Sequence, residues 1–486
     1  MSSSRSPADL GVVEASQLLA ARALSASELV AACLARIRER DGTHTHGGDP
    51  DSVNAWVRVY EDDALADAAR SDARLSAAGV SREGPAPLLC GIPIGLKDLY
   101  GVAGKPVTAS SRLLDEVPAA DCDVWARLRG QGMILLGHLH THEFAVGGTT
   151  DQVGSPWALD RSAGGSSGGS AAALAARMIP AATGTDTAGS LRIPSALSGT
   201  STIKPTRGRV SLAGIVPLAT SLDHAGPMAR SLDDCAVLLA AMAGPDLGRP
   251  SSALAGPLFT EVPAPREGDR PLAGLRLAVS PRIGEAALDP DVSDGFAVAV
   301  ALCRELGATI VEPPLPAAPL ALGDDFLDVL LPELLLYHRR FDAGRDRYRP
   351  ALREWIEQAE QRASPAEAYL AAQCRRRELT AAWERWFAGE GIDAVIEPTV
   401  PVVAPLRGSG YDHAGTDWDL ISLTHYWDWT GFPVAAFPAG VGARSGLPVG
   451  VSLIGPAATD WQLLATGIEL QARLGVPLPP WPFAKS

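Results

Sequence analysis

The chain has 486 residues, 46% of them hydrophobic and 20% charged, with a mean hydropathy of +0.08. That composition excludes a disordered or low-complexity protein, and the length suffices for a large buried core in one large enzyme domain or up to about three ordinary ones. The 42 basic and 56 acidic side chains leave a net charge of −14, without the basic footprint that phosphate neutralisation demands, so no direct nucleic-acid binding is expected. No uncharged apolar run reaches the roughly 18 residues needed to span a bilayer, and Met1 to Asp9 lack the apolar segment of a secretory signal. The expectation is a cytoplasmic protein with no membrane partner. The six cysteines (33, 90, 122, 235, 303 and 374) have neither a Cys-x-x-Cys pair nor metal-ligand spacing, and read as reduced and buried.

Residues 8–80 read as helical. Ser25 caps an apolar pattern at Leu29, Val30, Cys33, Leu34 and Ile37, and 61–78 are rich in helix formers. Short apolar strand patterns follow, bounded by Gly and Pro, at 87–97, 133–136 and 178–183. A Pro/Gly-rich stretch at 243–270 reads as a linker, and 325–390 as an amphipathic helical excursion in which Trp355, Trp383 and Trp386 are spaced like packing residues. Strand patterns return from 392, at 394–399, 434–438 and 449–455, and are expected to join the same sheet. Strands alternating with helices predict an α/β core, its sheet covered on both faces.

The chemistry concentrates in Ser162-Ala-Gly-Gly-Ser-Ser-Gly-Gly-Ser170 and Gly184-Thr-Asp-Thr-Ala-Gly-Ser-Leu-Arg192. Glycines let a backbone close on a ligand with its N–H groups turned inward, and serines among them supply nucleophiles or proton carriers. A flexible linker is the plain alternative, but Ala171-Ala-Ala-Leu-Ala-Ala follows at once, a strong helix former whose N-terminus favours negative charge. A phosphate loop fails because Gly104-Lys105 is followed by Pro106. Gly164-Gly-Ser166-Ser-Gly168 has the form of a nucleophile elbow, yet no strand pattern precedes it and no Asp-then-His pair follows. A Ser/Lys mechanism needs a lysine made neutral by burial. Lys97 ends an apolar strand pattern and meets that demand, unless it reaches solvent beside Asp98.

These segments resemble the amidase signature family. The resemblance is carried by Gly91-Ile-Pro-Ile-Gly-Leu-Lys-Asp98, by the two segments above, and by Lys204-Pro-Thr-Arg-Gly-Arg-Val-Ser211. Ser221-Leu-Asp-His-Ala-Gly-Pro-Met-Ala-Arg-Ser-Leu-Asp233 and Gly446-Leu-Pro-Val-Gly-Val-Ser-Leu-Ile-Gly-Pro456 extend it, so that roughly 10–240 and 390–475 are covered. The resemblance implies one amidase-signature domain over 1–486: a helical region at about 8–80, a catalytic core at about 81–240, the excursion at 325–390 and returning strands at 391–475. It implies Ser190 as nucleophile, Ser166 as a bridging serine preceded by a cis peptide bond, and Lys97 as the terminal base. It assigns the oxyanion hole to the backbone N–H groups of Thr187, Ala188, Gly189 and Ser190, with Ser167, Asp186 and Arg192 in support. No cofactor and no metal are implied.

Ala188 stands where many members have Gly, and Asp428 where Asn is common. His138, His140 and His142 would share one face of a strand in a zinc-like pattern, at positions where the family needs no metal. Tyr426, Trp427 and Trp429 either line a pocket for aromatic or bulky apolar groups or pack in the core. The expected activity is hydrolysis of a small-molecule carboxamide, or a related carbamate or ester, through an acyl-enzyme, in a chain that is free to form a homodimer. Two alternatives stand beside it: the glutaminase subunit of a tRNA-dependent amidotransferase complex, and a non-catalytic anion-binding protein.

Overall fold

In the computed structural model the described residues are 5–77, 87–245, 268–314, 316, 322–362, 365–408, 410–415 and 418–483. Most of the expected 243–270 linker lies outside them. Strands β1 (Trp56–Val59), β2 (Pro93–Lys97), β3 (Ile134–Leu139), β4 (Gly154–Ser155), β5 (Ala158–Ser162), β6 (Ala181–Asp186), β7 (Ser201–Lys204), β8 (His224–Ala229), β9 (Arg276–Val279), β10 (Thr309–Val311), β11 (Ala394–Pro398), β12 (Val434–Val441) and β13 (Pro448–Ile454) are present. Eleven of them form one sheet in the order β1-β3-β2-β6-β8-β7-β12-β13-β11-β9-β10, while β4 and β5 pair separately. β2 runs parallel to β3 and β6, whereas β6–β8, β7–β12 and β12–β13 are antiparallel. The sheet is therefore mixed, and strands from both sides of the helical excursion meet in it, as expected.

Helices cover the sheet in two groups. Leu232–Met242, Pro290–Glu305 and Asp460–Leu474 pack together against β7, β8, β12 and β13; Gly168–Ala175 and Arg192–Ser198 pack together against β6, β7, β12 and β13. Central strands buried on both sides need near-continuous apolar or small residues, and β2, β3, β6, β11 and β13 are buried at every position. The Ser25 cap forms: its hydroxyl accepts from Glu28 N at 3.1 Å while Glu28 returns a bond to Ser25 N at 2.9 Å. The 325–390 segment folds as Asp325–His338, Pro350–Arg362 and Ala366–Glu390 around a short 3-10 turn.

Two expectations fail locally. The 8–80 region is not all helix, because Trp56-Val-Arg-Val59 forms the edge strand β1 against β3. Aromatic and β-branched residues there favour a pleated surface, and the Asp41 carboxylate accepts from Ala55 N and Trp56 N at 2.7 and 3.3 Å to aim the strand. The three histidines do not share a strand face, since β3 ends at Leu139. His138 meets the Tyr60 hydroxyl and the Tyr100 carbonyl, His140 the Ser110 hydroxyl and His142 the Thr149 carbonyl. All six cysteines are unpaired and five are buried; Cys374 is exposed. Among the described residues no helix is long and apolar enough to cross a membrane.

Candidate active site

β2 and β6 are parallel neighbours, so the chain that leaves each carboxyl end arrives at the same place, the usual position for a site in a sheet of this kind. Lys97 is the last residue of β2 and Asp186 the last of β6. Lys97 is fully buried. Its Nζ lies 2.7 Å from Ser166 Oγ and 2.8 Å from Thr185 Oγ1, and its backbone N–H donates to Thr183 Oγ1 at 3.1 Å. Burial lowers its pKa from 10.5 to about 7, against the opposing pull of Asp186 and Asp223. Asp98 does not pair with it: that carboxylate accepts from Thr108 N at 3.1 Å and Ser110 N at 2.9 Å.

The Gly165–Ser166 peptide bond is cis. A Cβ on Gly165 would stand 2.0 Å from the Thr149 carbonyl oxygen, so only glycine fits this approach. The Ser166 carbonyl accepts from His142 N at 3.0 Å and Thr150 Oγ1 at 3.1 Å, which fixes the serine between two loops. Ser167 donates to the Thr185 carbonyl at 3.4 Å, tying the Gly/Ser loop to β6.

Ser190 sits in the turn between β6 and the helix Arg192–Ser198 and lines a cavity with Thr187 and Ala188. Asp186 organises this turn. Its carboxylate accepts from Gly189 N at 2.5 Å, Leu191 N at 3.1 Å, and Arg192 Nε and Nη2 at 2.9 and 3.0 Å. Arg192 also reaches Asp428 Oδ2 at 2.5 Å and the Thr424 carbonyl at 3.0 Å. One guanidinium thus faces two buried carboxylates. Burial raises the pKa of both, but the bidentate Arg192 contact brings Asp186 below its ordinary value, while Asp428, with fewer donors, is pushed well above it.

This arrangement corrects one sequence-based assignment. Gly189 cannot offer its N–H to a substrate oxyanion, because that hydrogen is already given to Asp186. The N–H groups of Thr187, Ala188 and Ser190 have no acceptor among the described residues. Thr187 is placed by its own hydroxyl, which donates to Asp223 at 2.6 Å; burial raises the Asp223 pKa to about 6.

A second assignment also changes. Tyr426, Trp427 and Trp429 do not line the cavity at Ser190 but lie in the core, each at most 1% exposed. Tyr426 accepts from Trp383 Nε1 at 2.7 Å, Trp427 Nε1 donates to Glu397 at 2.5 Å, and the Trp429 carbonyl accepts from Arg376 at 2.6 Å. The physical reason is the short helix His425–Thr430, which packs against Ala366–Glu390 and turns these rings inward. Trp427→Phe is expected to cost about 1–3 kcal/mol, since the buried Glu397 loses that donor, with the relative kcat/KM across substrates unchanged; urea denaturation and a substrate series read the two effects.

The cavity wall comes from residues that sequence reasoning assigned elsewhere or missed. Phe326, Leu330, Leu331 and Leu334 from the helix Asp325–His338, together with Val146, Leu218 and Ile421, form its sides, and Trp355 and Trp418 its rim. No described lining residue carries a charge. The cavity is partly open, with about 610 Å³ of empty space counted together with the solvent at its mouth, and Trp418 is 40% exposed. Thr185 was also missed. Its signal was the alternation Thr183-Gly-Thr185 in a buried strand, which places both hydroxyls on one face.

Sequence and structure comparisons give the chain's family and relatives. The Amidase family profile matches residues 28–464. A glutamyl-tRNA(Gln) amidotransferase subunit from Ralstonia nicotianae is 37% identical, over 90% of this chain and 92% of that protein. The X-ray structure of the peptide amidase from Stenotrophomonas maltophilia superposes with a TM-score of 0.80 at 27% identity, covering 97% of this chain and 98% of that one. The corresponding glutamyl-tRNA(Gln) amidotransferase subunit from Thermotoga maritima superposes with a TM-score of 0.76, also at 27% identity and with the same coverage. With the profile matched over most of its length, the chain belongs to the amidase signature family.

Proposed function

We propose that the protein hydrolyses the C–N bond of an apolar carboxamide through an acyl-enzyme on Ser190. Lys97, about half neutral at pH 7 and more so above it, takes the Ser166 proton as Ser166 takes that of Ser190, and Ser190 Oγ bonds to the carbonyl carbon. The N–H groups of Thr187, Ala188 and Ser190 hold the oxyanion, where each preorganised donor is worth about 3 kcal/mol. On collapse the C–N bond breaks, and the Lys97 proton returns through Ser166 to the departing nitrogen. Water then attacks the ester and loses its proton along the same relay; the Ser190 oxygen is reprotonated and the acid departs.

The observation that carries this reading is the contact between a fully buried Lys97 and Ser166, with the amine shifted toward its neutral form. It is tested by treatment with an alkyl fluorophosphonate and peptide mass spectrometry. Adduct at Ser190 is the expected result, and an intact Ser190 would favour the anion-binding alternative.

A second reading, the amide-donor subunit of a glutamyl-tRNA(Gln) amidotransferase, is favoured by the likeness to the Ralstonia protein. Such a subunit would work with partner chains and release ammonia from glutamine. The cavity argues the other way, because the two charges of free glutamine call for charged or strongly polar partners, and no described residue of its wall is charged. An assay of the isolated chain separates the readings. The apolar-amide reading predicts kcat/KM on an aryl or alkyl amide at least tenfold above that on glutamine, and the amidotransferase reading predicts the reverse order.

A further inference from the structure

We infer that Thr424 is a positioning residue that clamps the oxyanion-binding turn to the substrate wall. The proposal deepens the hydrolase reading and rests on it. The peptide unit joining Ala188 to Gly189 is held at both ends. Its carbonyl accepts from Thr424 Oγ1 at 2.5 Å, and its N–H donates to Asp186 Oδ1 at 2.5 Å. A planar peptide fixed at both poles cannot rotate, so the N–H groups on either side of it, those of Ala188 and Ser190, keep one direction. Both lack an acceptor among the described residues and both belong to residues that line the cavity. Thr424 is 2% exposed, and its hydroxyl, with one hydrogen to give, lies nearer the Ala188 carbonyl, at 2.5 Å, than the Ile421 carbonyl, at 3.2 Å. The clamp also accounts for Gly189, which has φ 135° and whose Cβ would stand 2.3 Å from Thr424 Oγ1.

The far end of the clamp is the substrate wall. Thr424 N donates to the Ile421 carbonyl at 3.0 Å, the Thr424 carbonyl accepts from Arg192 at 3.0 Å, and Ile421 and Trp418 line the cavity. A group seated against Trp418 and Ile421 therefore presses on the segment that aims the oxyanion donors. In this arrangement the occupancy of the wall acts on kcat as well as on KM, a route by which remote binding serves the chemical step.

The test compares Thr424→Val and Thr424→Ser with wild type, reading the rate of Ser190 labelling by an ethyl fluorophosphonate, whose phosphoryl oxygen takes the oxyanion position. The expected result is at least tenfold slower labelling in Thr424→Val, recovery to within about threefold in Thr424→Ser, and thermal midpoints close to wild type in both. With any amide that the wild type turns over, the loss in Thr424→Val falls on kcat more than on KM. Equal labelling of Thr424→Val and wild type would overturn the clamp and leave the hydrolase reading standing. So would equal losses in both variants accompanied by lowered thermal midpoints, the mark of a merely structural residue. A wild-type protein that does not label overturns the hydrolase reading and the clamp with it.

Discussion

Ser190→Ala and Lys97→Met are each expected to lower kcat by about 10⁴-fold or more, and the double variant to be no worse than Ser190→Ala alone. In the proposed relay the two side chains serve one proton transfer through Ser166, so the second deletion is expected to remove nothing further. No independent role in binding is expected of Lys97, which is fully buried and whose two side-chain partners are the Ser166 and Thr185 hydroxyls. The substitutions are therefore expected to leave KM within a few-fold of wild type. Steady-state kinetics on one turned-over amide checks both statements. Losses that multiply in the double variant would mean that Lys97 and Ser190 act separately.

Arg192→Met is expected to be the most damaging substitution for stability, by about 3–5 kcal/mol, because breaking a buried ion pair strands charge in a medium that cannot solvate it. Here Asp186 would be stranded as a buried charge and Asp428 would lose its guanidinium contact, so that Asp186 loses the partner that keeps it ionised to hold Gly189 N and Leu191 N. Asp428→Asn should behave in the opposite way. It removes the surplus carboxylate, retains an oxygen for Arg192, and introduces the amide that the family resemblance leads one to expect at this position. Its stability should match or exceed that of wild type. Urea denaturation of the two variants side by side reads the contrast.

The parts of this protein that the sequence made legible are those fixed by short-range chemistry. The Ser25–Glu28 cap, the buried run ending at Lys97 and the glycines around Ser166 carry their geometry in adjacent residues. Residues whose role depends on where the chain returns were not legible. Thr424 lies 236 positions from Ala188, and nothing local distinguishes its hydroxyl from any other. Tyr426, Trp427 and Trp429 read as pocket or core, because composition does not say which side of a six-residue helix faces inward. The cavity wall from Phe326 to Leu334 was visible only as an amphipathic helix, and its apolar face could not be matched to Ser190 before the sheet was assembled. The Gly189 N–H was misassigned for a simpler reason: family resemblance names donors but not the carboxylate that competes for one of them.

In the proposed mechanism a neutral amine at the end of β2 activates Ser190 through Ser166. Its most direct measurement is the pH dependence of fluorophosphonate labelling at Ser190 in wild type, Lys97→Met and Asp223→Asn. A cationic lysine cannot accept a proton, so labelling should fall as pH drops through the Lys97 pKa, with a midpoint near 7, and level off above it. The charged and titratable groups facing Lys97 are Asp186, Asp223 and His142. Of these Asp223, raised by burial to about 6, is the one whose own titration lies near that window. The expected midpoint near 7 persists in Asp223→Asn and vanishes in Lys97→Met. A midpoint that survives in Lys97→Met, or that disappears with Asp223, would contradict the mechanism.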